Sequence, residues 1–431
     1  MVIIKPFKAT VLNPKLEGRT QLICPVYDTI DATRYDKYAV VKNNVIHFTT
    51  RREGVTAEDF VDYAKMSLER FYKDGILIEC EEPAFYIYGI RYRLSDELME
   101  QIPEEERRAI YFAFGLIALV KVEKLNEQHI AGHEKTFETN TMERYYLMKE
   151  CGMNFSPVVA EYNMPDHDMN SIFEQYLGFH RPDLKINANR KPIVDVVLNG
   201  CRHLLWAVSD NEIMDKIQHL MRDRSVMILD GHHRYTASYR LSNDGGTAYT
   251  LMMLVEGGDS ALLLLPWHRC VRECRIEELW DKIAANFTVE RCDRCDVYAK
   301  LNERSGDFDV MLCMYDGEKF YLLQAEEQRI RCLARERGEQ VGLDVISLHE
   351  WLIDPTLIGK PERSIAFTAS PSDAIEKVDT GSYQVAFFLR PLRITDVEYK
   401  ARVEKKGFPQ KSTLFLPKVA EGVVLRRFGE E

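Results

Sequence analysis

The sequence predicts an α+β protein made of two units. Three observations predict it. Short apolar, β-branched and aromatic runs of strand length recur from end to end, between stretches whose apolar residues return every three or four positions. The two kinds of stretch mix irregularly at first and alternate from residue 276 onward. At 431 residues, the chain exceeds what one hydrophobic core usually organises.

Each element has its own warrant. Residues 58–72 place Phe60, Ala64, Leu68 and Phe71 on one helical face, and Lys73-Asp74-Gly75 stops it. Residues 83–92 carry Phe85, Tyr86, Ile87, Tyr88 and Ile90, a strand pattern. Pro103-Glu104-Glu105-Glu106 reads as a helix or turn start. Residues 211–224 gather Ile213, Met214, Ile217, Leu220 and Met221 on one face, and 225–229 form a short buried strand. A helix over 235–241 follows, stopped by Asn243-Asp244-Gly245-Gly246. Strands are expected at 249–255 and 261–270, a helix at 276–287, and a hairpin joining 309–315 to 319–324 through Asp316-Gly317. A helix at 345–353, a strand at 364–368, a helix at 372–378 and a strand at 384–389 complete the pattern. The division expected is 1–268 for the first unit and 269–431 for the second.

Composition removes several function classes. The apolar fraction of 45% and charged fraction of 29% are those of a globular chain, which excludes wholesale disorder. A formal charge of −11 supplies no bulk attraction to nucleic acid or anionic membrane, so neither is expected as a partner. The most apolar run, 110–120, is far short of the ~20 residues that cross a bilayer. Met1–Phe7 shows no charged start before a long apolar core, so a cytoplasmic setting is expected, with the ten scattered cysteines reduced. Cys270, Cys274, Cys292 and Cys295 mimic a four-thiolate zinc site, weighed against dispersed structural thiols.

The residues with chemistry cluster at Asp230-Gly231-His232-His233-Arg234-Tyr235-Thr236-Ala237. Gly231 permits a sharp turn and close approach of a ligand. The helix that follows offers free N–H groups and its positive dipole end, an anion site. Arg234 and the two imidazoles add donors, and Asp230 can hold a metal ion or orient a hydroxyl. Phosphoryl transfer to a hydroxyl also needs a proton acceptor, and Glu134 in Gly132-His133-Glu134-Lys135-Thr136 can serve. A metal site from His129, His133 and His232 is a lesser alternative. Arg202, His203, His268, Arg269, Lys411, Ser412 and Thr413 are candidate substrate-binding groups, because a free amino acid needs a partner for its carboxylate. Tyr27-Asp28 is placed in the same cleft.

The core Gly231-His232-His233-Arg234-Tyr235-Thr236-Ala237 resembles the nucleotide-binding turn of the ParB/sulfiredoxin superfamily. The chain is more similar still to a widespread prokaryotic family catalogued as a domain of unknown function, whose hallmark is Asp-Gly-His-His-Arg-Tyr. The shared blocks are Lys5-Pro6-Phe7-Lys8-Ala9, Cys24-Pro25-Val26-Tyr27-Asp28-Thr29-Ile30, Gly132 to Thr136, Arg202-His203-Leu204-Leu205-Trp206, Leu265-Pro266-Trp267-His268-Arg269 and Pro409-Gln410-Lys411-Ser412-Thr413. Val26, the order Arg202-His203 and Gln410 depart from the family's usual residues. The resemblance implies a ParB/sulfiredoxin-like nucleotide-binding core with a second α+β domain. It implies a kinase similar to the free serine kinases, moving a phosphoryl group from ATP or ADP to free L-serine and giving O-phospho-L-serine. Gly231 to Tyr235 would bind nucleotide, Glu134 would be the base, and Asp230 would assist catalysis and hold Mg²⁺. The partner expected is a small molecule, with a homodimer as the oligomeric form. The competing classes are a non-catalytic nucleotide-binding regulatory module and a metal-dependent hydrolase or phosphatase.

Overall fold

The apolar run too short to cross a membrane is the central strand of the first sheet. The computed structural model describes residues 1–164, 166–179, 185–187, 189–303, 309–337, 342–405 and 407–429. Among them a nine-stranded sheet contains, in chain order, β1 (Ile4–Lys5), β2 (Phe85–Tyr92), β3 (Tyr111–Lys121), β4 (Ile130–Gly132), β5 (Val158–Tyr162), β6 (Val194–Leu198), β7 (Cys201–Val208), β8 (Val226–Asp230) and β9 (Tyr249–Glu256). Side by side they run β6-β7-β2-β3-β9-β5-β8-β4, with β1 extending the β2 side of β3. β3 is apolar up to its last residue, Lys121, because both its faces are covered. Phe112, Phe114, Leu116, Ala118 and Val120 enter one core and Tyr111, Ala113, Ile117 and Leu119 the other.

Among the described residues the helices that flank the sheet include α1 (Ala57–Lys73), α2 (Glu138–Cys151), α3 (Asn211–Met221) and α4 (His232–Asn243). Thr56 caps α1 through the Asp59 N–H, and Asp210 caps α3 through the Ile213 N–H. α4 packs on α2 through Tyr145, Met148, Ala237 and Leu241.

The second sheet contains β10 (His268–Val271), β11 (Phe287–Cys292), β12 (Met311–Tyr315), β13 (Phe320–Ala325), β14 (Ile365–Thr368) and β15 (Val385–Phe388), in the order β11-β13-β12-β15-β10-β14. The Asp316-Gly317 hairpin forms as expected: Asp316 Oδ1 accepts from Glu318 and Lys319 N–H, and Gly317 takes φ 95°. The single strand expected over 261–270 is two. Leu263–Leu265 pairs with Leu414–Leu416, and His268–Val271 opens the second sheet. Pro266 lies between them and has no N–H for a ladder.

The chain then returns to the first sheet. The Phe408 N–H donates to His133 O, Ala420–Glu421 pairs with Cys24–Pro25, and Arg426–Arg427 pairs with Met153–Asn154. Val423, Val424 and Leu425 are buried on the way, so this return is part of the core.

The cysteines do not form the four-thiolate set. Cys270 lies on β10 and Cys292 on β11, four strands apart, roughly 19 Å measured along the sheet at about 4.8 Å per strand. Cys295 is exposed, whereas Cys274 is buried. Among the described residues no helix is long and apolar enough to cross a membrane.

Candidate functional site

The site begins where β8 ends. A register shift between Ile228 and Asp230 bends the strand, and Gly231 follows at φ 93°. The turn feeds directly into α4, which no side chain caps, unlike α1 and α3. Its first-turn N–H groups are therefore available to an anion.

A Cβ at residue 231 would stand 2.8 Å from Arg234 Nε and 2.9 Å from Cζ. Gly231→Ala combines that clash with a left-handed backbone. It is expected to cost about 1–3 kcal/mol, read as a lower urea midpoint.

The arginine is occupied. Arg234 Nη2 donates to Asp230 Oδ2 at 2.6 Å, and Nη1 donates to Pro157 O at 2.6 Å and Ser156 Oγ at 3.0 Å. It braces the turn from behind instead of reaching outward for phosphate, a correction to its expected role. Tyr235 needs the same correction. It is wholly buried, and its hydroxyl donates to Glu123 O at 2.7 Å, since one position on from Arg234 the helix faces the sheet. These two residues shape the turn, and their side chains face away from the uncapped helix end.

Asp230 is ionised. Burial opposes its charge, but Lys418 and then Arg234 outweigh burial and hold the carboxyl well below the usual carboxylate range. Lys418 Nζ donates to Oδ1 across 188 residues of sequence. Glu134 follows β4 and faces the turn. Its Oε1 accepts the Lys411 N–H, and its Oε2 lies 3.6 Å from His232 Nδ1. Burial raises its pKa above the ordinary value, opposed by Lys411. Lys411, at φ 54°, lies with Nζ 3.6 Å from Asp28 Oδ2 and 5.2 Å from the Trp267 ring centre. Burial disfavours its charge, but Asp28, Glu134 and Asp230 outweigh that and raise its pKa.

The imidazoles are neutral supports. His232 Nε2 accepts the His133 N–H at 3.3 Å, which leaves the proton on Nδ1, toward Glu134. Burial, then His133, lowers the His232 pKa far below its usual range. His133 is lowered to about 4 by burial, and its Nε2 meets Thr413 Oγ1 at 2.9 Å. His233 is lowered to about 4 by burial and accepts the Phe137 N–H at 2.9 Å. The Ser412 hydroxyl donates to Pro409 O, and Thr413 O accepts from the Trp267 indole at 3.1 Å, so both hold the 411 loop in place.

Three substrate candidates lie elsewhere. Arg202 is on β7, five strands from β8 and roughly 24 Å away measured along the sheet, in an exposed bidentate pair with Asp195 at 2.9 and 2.7 Å. His203 is buried, lowered to about 4 by burial, and its Nδ1 meets the Tyr88 hydroxyl, which accepts the Ala420 N–H. His268 is buried on β10, bonded to the Tyr298 hydroxyl at 3.1 Å and to the Leu389 N–H at 3.3 Å. Arg269 is buried one contact behind the 411 loop, because its Nη1 donates to Trp267 O.

Sequence reasoning missed Lys418 and Glu421. Glu421 accepts from the Ser156 hydroxyl at 3.1 Å, and burial pushes its carboxyl up to about 7. With Tyr27, Arg144 and Arg234 it borders a cavity of about 20 Å³ behind the turn, room for a water. No motif marks either residue. The only available signal is physical: two carboxylates in one cleft demand compensating cations.

The turn itself is largely buried, and partial exposure belongs to the charged groups around it. The side chains of Glu134, Lys418, Lys411 and Asp28 keep 20%, 23%, 27% and 30% exposure. Fold and site together define an α+β protein whose strand–glycine–helix turn presents an uncapped helix end to two carboxylates and two lysines. The chain belongs to DUF1015, a family described as proteins of unknown function, whose model matches residues 4–346. No curated protein matches the chain. Among solved structures it is similar to a conserved hypothetical protein from Pyrococcus furiosus, at 11% identity and TM-score 0.33, covering 69% of this chain and 93% of that one. It is similar to a free serine kinase mutant in complex with AMP, at 12% identity and TM-score 0.34, covering 69% and 90%. It is also similar to SbnI with a C-terminal truncation from Staphylococcus aureus, at 12% identity and TM-score 0.37, covering 71% and 85%.

Proposed function

We propose that this protein is a small-molecule kinase that transfers a phosphoryl group from ATP or ADP to the hydroxyl of free L-serine, giving O-phospho-L-serine. One observation carries the reading: the uncapped start of α4, beyond Gly231, faces Lys411, Lys418 and the proton acceptor Glu134. The sequence resemblance to the ParB/sulfiredoxin-like free serine kinases supports it. In this reading residues 1–268 hold that core, and 269–431 form the second α+β domain, whose last stretch completes the site.

The helix N–H groups and the two lysines neutralise the terminal phosphates. The serine oxygen attacks the terminal phosphorus, a new O–P bond forms, and the bond to the departing nucleotide breaks. The hydroxyl proton passes to Glu134, which burial makes a stronger base than an ordinary carboxylate. Mg²⁺ accompanies ATP and ADP as part of the substrate and supplies charge neutralisation. Both oxygens of Asp230 already accept from cations, Oδ2 from Arg234 and Oδ1 from Lys418, so Asp230 would hold such an ion only with Lys418 displaced from Oδ1.

Thermal melts with ATP or ADP, with and without L-serine, test binding, because a ligand of the native state must raise its apparent stability. Phosphorus NMR tests chemistry. The expected result is a rise in Tm with one nucleotide and a phosphoserine resonance when serine is added. A rise without any product from serine or another hydroxylated amino acid would favour the regulatory module. No rise with either nucleotide would overturn the nucleotide site.

A further inference from the structure

A second cavity, of about 320 Å³, lies between residues 97–100, just before β3 of the first sheet, and one face of the second sheet. None of its lining residues belongs to the glycine-turn site. Its walls are bonded to each other. Glu97 accepts from the Ser370 hydroxyl at 3.0 Å and from the Ser372 N–H at the start of the helix Pro371–Asp379. The Gln101 amide donates to Ala369 O at 3.0 Å, and the Asn302 amide donates to Glu100 O at 3.3 Å. The floor is apolar: Phe320 and Phe388 stand with ring centres 6.0 Å apart. Phe388 shares its sheet face with Cys313, whereas Phe387 joins the core that holds Phe408, Leu414 and Phe415. The cavity is therefore on the opposite face of the second sheet from the 411 loop.

Three polar side chains in these walls have bonding capacity left. Tyr298 is the best defined. His268 Nδ1 accepts the Leu389 N–H at 3.3 Å, so the imidazole proton is on Nε2 and is donated to the Tyr298 oxygen at 3.1 Å. The Tyr298 hydroxyl keeps its own hydrogen, and no group among the described residues accepts it. Burial, then Cys313, Glu97 and Glu100, raise its pKa, so it stays a donor. Arg294 and Glu100 are the other two. Neither side chain makes an ion pair or hydrogen bond among the described residues, with the other or with a third group. A cation and an anion that line one cavity without pairing suit a ligand that carries both charges itself. An apolar floor with a few polar groups at its edge is the usual form of a small-molecule site.

We propose that this cavity is a second ligand site, for a small zwitterion with an apolar ring, of which an aromatic amino acid is the simplest. The anionic end of the ligand takes the Arg294 guanidinium and the Tyr298 hydroxyl. Its ammonium takes the Glu100 carboxylate, and its ring covers Phe320 and Phe388, where ring neighbours favour a ring. Glu100 precedes the first sheet's central strand and Arg294 follows β11 of the second, so the bound zwitterion ties the two sheets together. His268, set apart from the turn, acquires a role: it orients Tyr298. The proposal stands independently of the kinase reading.

Calorimetry on the full-length chain tests it, with L-phenylalanine as the probe. Phenethylamine lacks the carboxylate, 3-phenylpropionate lacks the ammonium, and L-alanine lacks the ring. L-Phenylalanine is expected to bind about 10-fold or more tightly than each, the weight of one charged hydrogen bond or one buried ring. Arg294→Gln should bring L-phenylalanine and phenethylamine close to equal affinity, and Glu100→Gln should do the same for L-phenylalanine and 3-phenylpropionate. Both residues are exposed, so these variants should keep the wild-type melting curve. Tyr298→Phe should weaken L-phenylalanine and leave phenethylamine unchanged, a difference that a packing defect would not produce. Absence of L-phenylalanine binding overturns the proposal, as does equal wild-type affinity for L-phenylalanine and phenethylamine. An unaltered preference in Arg294→Gln overturns it as well.

Discussion

Glu134→Gln is expected to reduce turnover by about 10²–10⁴-fold, the usual contribution of a positioned general base, with nucleotide affinity little changed. Glutamine keeps an oxygen where Glu134 Oε1 accepts the Lys411 N–H, so the 411 loop should stay in place. What it loses is the capacity to take a proton. The pH profile distinguishes this from a positioning defect. Burial raises the Glu134 pKa above the ordinary carboxylate value, with Lys411 opposing. The active, ionised form is therefore depleted at a higher pH than for an exposed glutamate. Wild-type kcat/KM should fall toward acid through an apparent pKa above the ordinary value, and that limb should vanish in Glu134→Gln. Near-wild-type turnover in the variant, or an unchanged acid limb, would remove Glu134 from the proton path.

The local part of this site was legible in the sequence, and the assembled part was not. Asp230, Gly231 and the start of α4 are contiguous, and a buried strand running through glycine into a helix has one geometry available, so their arrangement could be read from ten residues. Periodicity found α1, α3, β2 and the hairpin at Asp316-Gly317 for the same local reason. Arg234 misled because a cation beside a glycine turn at a helix start suits two roles. Only the tertiary positions of Ser156 and Pro157 show that it faces inward. His203 and His268 misled differently. Each lies in a strand, His203 in Cys201–Val208 and His268 in His268–Val271, and both strands bury the histidine in the core. Lys418 could not be found at all, since its partner Asp230 is 188 residues away and the contact exists only after the chain returns from the second sheet.

That return has a functional consequence. Lys411, Thr413, Lys418 and Glu421 all come from the last stretch, and all touch residues of the first unit or their supports. The site is therefore closed by the segment added last in the chain. Between β8 and these two lysines the chain passes through the whole second sheet.

Asp230→Asn is expected to lower both activity and stability. The carboxylate neutralises Arg234, whose side chain is 7% exposed, and Lys418 at 23%. Asparagine leaves both cations uncompensated. Breaking a buried pair by removing one partner costs about 3–5 kcal/mol, and the partial exposure of Lys418 places the result toward the lower end. The sign with pH follows from the depressed carboxyl. Its contribution is fully present above the unfolded value of about 3.9 and is lost as pH falls through the lower folded value. Melting curves should therefore show a Tm gap between wild type and Asp230→Asn that is constant at neutral pH and closes in strong acid. Adding Lys418→Met to Asp230→Asn removes one orphaned charge and should recover part of the stability without recovering turnover, a coupling that the double-mutant cycle measures directly. Equal Tm values for wild type and Asp230→Asn at neutral pH would show that the pairs with Arg234 and Lys418 do not hold the turn together, and the proposed phosphate site built on that turn would fall with them.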